Sequence, residues 1–172
     1  MISTITRSVA VFLALLLTSG QANAQIQEFN GSWELDYAIS VPSAKCEILH
    51  YTVTNDEQHY VVDEVSADGR PFNTEYRAKY DGNEYANKNL ITGNVNYVKL
   101  RKVSSRVEQL TNIRREKDAN GQDITRVSGW YVRTLLPDGN TISSTLIDGE
   151  GKVYGVRFFR RLADNTKSCV KK

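Results

Sequence analysis

Histidine, cysteine and proline are all scarce in this chain of 172 residues, which holds two, two and three of them. Each scarcity removes a class of chemistry. His50 and His59 flank a predicted turn at residues 55–57. Strand side chains alternate between faces, so a three-residue loop sends the two imidazoles to opposite sides of a sheet. A two-residue loop puts them on one face but well apart along the ladder. Neither reading gives a shared metal site, and no metal or cofactor is expected. The chain has no His-Glu-x-x-His pair, no Gly-x-Ser-x-Gly elbow and no phosphate-cradling glycine loop. Asp63 and Glu64 are adjacent, so on a strand their carboxylates diverge rather than form an acid/base pair.

Charge of one sign is also missing. Lysine and arginine total 22 against 20 acidic residues, which argues against nucleic acid as a partner. The short basic clusters Arg101-Lys102, Arg114-Arg115-Glu116-Lys117 and Arg160-Arg161 read as solvated strand edges and ends. Long apolar runs are absent except at residues 9–18, about half of what a membrane span needs, so the chain is not expected to span one. Arg7 precedes that run and Ala22-Asn23-Ala24 follows it, the pattern of a signal peptide cleaved after Ala24. No cysteine follows the cleavage site to carry a lipid. A mature chain beginning at Gln25, periplasmic or secreted, is expected as one domain over residues 25–172. The sequon Asn30-Gly31-Ser32 matters only where the host modifies such sites.

Cys46 and Cys169 remain in that chain, and an exported compartment permits them to pair. Closing a loop of over a hundred residues would contribute roughly 4–5 kcal/mol through chain entropy. A catalytic thiol is not expected, because Cys169 lies too near the C-terminus for its surroundings to be shaped.

What is abundant is turn chemistry and alternation. Asn55-Asp56, Asp68-Gly69, Asp81-Gly82, Asn120-Gly121, Asp138-Gly139 and Asp148-Gly149 punctuate the sequence, and such dipeptides supply the positive φ of tight hairpins. In the run 72–80 the even positions are Phe, Thr, Tyr, Ala and Tyr, and the odd ones Asn, Glu, Arg and Lys. That is a strand with one dry and one wet face. Further strands are predicted at 29–37, 46–54, 58–66, 95–102, 105–116, 123–136, 140–147 and 152–162. Pro42, Pro71 and Pro137 sit at their ends or in connections. No helical period emerges beyond one possible turn at 37–45. The fold class is all-β: an antiparallel up-and-down meander closed into a barrel of about eight to ten strands, with a two-sheet sandwich as the alternative.

Gly31-Ser32-Trp33-Glu34-Leu35 resembles the Gly-x-Trp opening of lipocalin-like barrels. The stretch 76–85 (YRAKYDGNEY) and the Asp-Gly stretches at 138–142 and 148–152 are similar to elements of small exported bacterial proteins with a lipocalin-like domain. That group has no common assigned reaction, so the resemblance implies a fold and no catalytic residues. It also implies that Trp33 packs at the closed barrel end against an arginine from the end of the chain. Arg157, Arg160 and Arg161 are the candidates, with Arg160 the residue assigned.

Nine tyrosines stand in the chain, and Tyr76, Tyr80 and Tyr131 fall on apolar strand faces. Such rings line cavities well, offering apolar area and a hydroxyl. Arg133 shares a face with Val127, Gly129, Tyr131 and Leu135, and Arg157 lies between Gly155 and Phe159. Turned inward, either would hold a ligand carboxylate; turned outward, either would meet solvent or acidic neighbours. Tyr76, Tyr80, Tyr131, Arg133 and Arg157 are thus the candidate ligand residues. The leading reading is a monomeric exported barrel that binds an apolar or amphipathic small molecule without turnover. One alternative is a module that binds or inhibits an envelope protein through the loop 83–94, near Leu90 and Ile91. Another is a cofactor-free barrel isomerase or cyclase working through Tyr76 and Tyr131.

Overall fold

Alternating side chains and glycine turns make strands here almost without interruption. The computed structural model describes residues 26–42, 44–54, 56–163 and 167–169. The expected signal peptide and cleavage after Ala24 fall outside the described residues. After one 3₁₀ turn (Ile26–Phe29) come ten strands: β1 (Gly31–Leu35), β2 (Cys46–Thr54), β3 (Glu57–Val65), β4 (Pro71–Lys79), β5 (Tyr85–Asn89), β6 (Val95–Ser104), β7 (Val107–Lys117), β8 (Asp123–Leu135), β9 (Thr141–Asp148) and β10 (Val153–Arg161). Each pairs antiparallel with its neighbours in sequence, and β1 also pairs with β10, so the meander closes into a barrel. No helix among the described residues is long and apolar enough to cross a membrane.

The predicted strands all form, and one more appears. Residues 83–94 are not a free loop: β5 lies there, joining Thr74–Tyr76 on one side to residues 95–98 on the other. At its far end the turn leaves Leu90 and Ile91 about half exposed, 46% and 48%.

The β2–β3 turn sets a register that bears on both histidines. Thr54 pairs with Glu57 across two residues, so His59 sits opposite Thr52, only two positions from His50 on the outer wall. That is nearer than the two-residue reading anticipated. They nonetheless take different partners, Ser32 Oγ for His50 Nδ1 (2.7 Å) and Glu75 for His59 Nε2 (2.7 Å).

One barrel end is plugged. Trp33 is fully buried and donates its indole N–H to the Phe29 carbonyl at 2.9 Å. The guanidinium over its ring belongs to Arg161, 4.1 Å from the centroid, and not to Arg160. Register decides this: Trp33 pairs with Arg161 across β1 and β10, so the two share a face. Arg160 falls on the other face, bonded to Asp36 and Thr141. Arg161 also donates to the carbonyls of Glu28, Asn30 and Gly139, tying the 3₁₀ turn and the β8–β9 turn across the plug.

Residues 36–42 leave β1 as a strap along the flank of β10 that β1 does not cover. The Val41 amide donates to the Val156 carbonyl (2.8 Å), and Ser40 Oγ exchanges hydrogen bonds with the Phe158 backbone. On the outer wall the C-terminal segment is pinned twice. Cys169 is joined to Cys46 with Cα atoms 5.6 Å apart. Asp63 accepts from Ser168 Oγ and, at 2.8 Å, from the Cys169 amide.

Candidate functional site

The end opposite the Trp33 plug is the mouth, rimmed by the β3–β4, β5–β6, β7–β8 and β9–β10 turns and by the strap. Inside it lies a pocket of about 100 Å³. A space of that size admits a few water-sized groups, well short of the ~300–1,000 Å³ that encloses a whole drug-sized ligand. The interior is therefore neither fully open nor fully filled.

Its floor is a buried polar network. Arg133 and Glu108 are 3% and 0% exposed and pair at 3.1 Å. Glu108 also accepts from Gln58 Nε2 (2.8 Å) and from the Tyr80 hydroxyl (2.9 Å). Tyr76 donates to Gln58 Oε1 at 2.6 Å, and Arg133 donates to the Tyr60 hydroxyl at 3.0 Å. The Arg133 guanidinium also lies 4.5 Å from the Tyr60 ring centroid. A charge so deep needs this much satisfaction, since an unpaired ion there costs several kcal/mol.

The upper wall is a second, less balanced cluster. Arg157 Nη1 meets Glu47 Oε2 at 2.6 Å and Glu64 Oε2 at 3.8 Å, while its Nε donates to the Pro42 carbonyl at 3.0 Å. Arg157 thus laces β10 to the strap and to β2 where β1 no longer separates them. Burial, reinforced by the Glu64 charge against the pull of Arg157, pushes the Glu47 carboxyl up to about 7. Burial raises Glu64 as well, opposed by Arg157. Asn87, from β5, also lines the pocket, and its Oδ1 is buried with no hydrogen-bond partner.

The residues singled out by sequence divide clearly. Tyr76, Tyr131, Arg133 and Arg157 all line the pocket, so both arginines turn inward. Tyr80 does not line it: its hydroxyl sits beneath the floor on Glu108 and Gln58. Each arginine already faces a carboxylate, which removes the expectation that they wait for a ligand carboxylate. Glu47, Glu108, Gln58 and Asn87 went unread, and Glu64 was read only as diverging from Asp63. For three of them the signal was available: Glu47 lies in the register Glu47-x-Leu49-x-Tyr51-x-Val53, and Gln58 and Glu64 share that of Tyr60 and Val62, whereas Glu108 has only Leu110 as an apolar companion in its register.

The tyrosines offer hydroxyls rather than phenolates. Burial holds Tyr60 and Tyr76 above the usual range and Tyr131 at about 12. On the outer wall Ser32 and His50 form a hydrogen-bonded pair, but Ser32 is 2% exposed and beyond a substrate's reach. Comparisons with protein-family models, with curated proteins and with solved structures return no match for this chain.

Proposed function

We propose that the chain is an exported barrel that binds an amphipathic small molecule in its mouth and does not turn it over. The pocket carries this reading: a walled space at one barrel end, closed below by a satisfied polar floor and lined by aromatic rings and charged groups. Its size fits a polar head group with a few carbons. The rest of such a ligand would lie along the mouth, where Phe72 is 41% exposed. Neutral tyrosines orient a head group without offering a phenolate base. The disulfide favours an oxidising compartment, consistent with a mature chain beginning at Gln25. The Trp33–Arg161 stack supports kinship with lipocalin-like barrels.

Native mass spectrometry of the protein taken from its own envelope fraction tests this. The expected spectrum carries a small-molecule adduct that denaturation releases. The exposed Leu90, Ile91 and Val95 around the β5–β6 turn favour a second reading, a module that docks on an envelope protein. A polypeptide adduct in the same spectrum would select it, and a bare monomer would remove the small-molecule reading.

A further inference from the structure

Two arginines and two glutamates line the pocket, but Arg133 is already neutralised from beneath by Glu108, which leaves Arg157 alone against Glu47 and Glu64. Arg133 and Glu108 neutralise each other in the floor at 3.1 Å. Above them Arg157 faces two carboxylates, Glu47 at 2.6 Å and Glu64 at 3.8 Å. One negative charge is left over where water is scarce and an unmatched ion is costly. The rest of the wall adds acceptors and π faces. Asn87 presents a buried oxygen with no partner, and Tyr60, Tyr131 and Phe72 contribute rings.

We propose that the head group this pocket takes is a small organic cation, an ammonium on an apolar chain, seated among Glu47, Glu64 and Asn87. This rests on the reading that the pocket holds an amphipath, and it reverses the polarity that two inward arginines suggest. An ammonium brings three donors and no acceptor, which suits carboxylate and amide oxygens. Its charge is further attracted to aromatic faces. A carboxylate head would meet two carboxylates with one arginine already shared between them. A metal ion is a poorer fit, because no cluster of three or more His, Cys, Asp or Glu side chains stands among the described residues.

The proton on Glu47 has the same origin. Glu47, on β2, is faced by Arg157 from β10, by Glu64 and Tyr60 from β3, and by Arg133 and Tyr131 from β8. From the strap, the Tyr37 hydroxyl accepts its backbone N–H. Burial and the repulsion of Glu64 leave the carboxyl half protonated near pH 7. A bound cation would take that proton's place, so ammonium affinity rises as the pH climbs through that range and binding releases a proton.

Calorimetric titration of the disulfide-bonded protein with hexylamine, 1-hexanol and sodium hexanoate, at about pH 6 and about pH 8, tests the assignment. The amine is expected to bind about tenfold tighter than the alcohol at the higher pH, with hexanoate weakest. Its preference over the alcohol shrinks at the lower pH. Glu64→Gln reduces that preference about tenfold, and Asn87→Asp increases it by a similar factor. Because the two variants move it in opposite directions, loss of folding cannot imitate the result. Hexanol or hexanoate binding as tightly as hexylamine overturns the cation assignment and leaves the small-molecule reading standing. Binding by none of the three removes that reading and the assignment together.

Discussion

At the scale of single residues, the buried ionisable groups set how the protein responds to pH and to substitution. Glu47 titrates at about 7 when folded and near its ordinary carboxylate value when unfolded, because burial penalises the charged form. Between those two values the folded state binds more protons than the unfolded one. Stability from this group is therefore present below about pH 4.5 and falls as the pH rises through about 7, by roughly 2–4 kcal/mol. Urea titrations across that range should show the decline, and Glu47→Gln should flatten it. Arg133 and Glu108 behave as a unit. Arg133→Met strands Glu108 in the interior and is expected to cost about 3–5 kcal/mol. Adding Glu108→Leu to it should cost about 1–3 kcal/mol less than the two single losses combined, which a double-mutant cycle in urea would measure. The sequence exposed both arginines as charges in an apolar register. The same alternation test applied to acidic residues would have found Glu47 but not Glu108, whose register in β7 sets Leu110 beside Asn112, Arg114 and Glu116. Their pairings stayed hidden because the partners lie 110 and 25 residues away along the chain.

At the scale of elements, backbone packing leaves a side chain no room at Gly129, Gly149 and Gly155. A Cβ on Gly129 would lie 2.4 Å from the Ile147 carbonyl oxygen, and the residue sits at φ 152°. It faces a register shift between Asn112 and Ile113 in β7. A Cβ on Gly155 would lie 2.1 Å from the Val41 carbonyl oxygen, with the Pro42 ring at 2.7 Å. Gly155→Ala should therefore lift the strap from β10 and cost about 1–3 kcal/mol. Hydrogen exchange would report it as lost protection at the Val41 amide, whose bond to Val156 is 2.8 Å; unchanged protection there would contradict the account. β5 escaped the sequence reading for a plain reason. Its segment Tyr-Ala-Asn-Lys-Asn carries little β-propensity, and its alternate positions Tyr85, Asn87 and Asn89 mix one ring with two amides. Only pairing with β4 and β6 makes it a strand.

For the whole molecule, the disulfide is the covalent long-range constraint, its cysteines 123 positions apart in sequence. Reduction should lower stability by about 4–5 kcal/mol if chain entropy dominates. Urea midpoints with and without reductant would measure the loss, and the Cys46→Ala, Cys169→Ala double variant should match the reduced protein. What the sequence by itself determined is local in origin: alternation of period two, turn dipeptides that admit positive φ, and two cysteines with no third to compete. Those features establish an all-β meander and the pair to be joined. Which side chains meet was decided by tertiary structure. Arg160 and Arg161 are adjacent in sequence, yet closure of β1 onto β10 sends one to the outer wall and the other onto Trp33. The pocket's size and charge follow from the same cause. Ten strands bring inward residues from remote segments to a common level, and the sum of their volumes and charges is fixed by register, which no single strand contains.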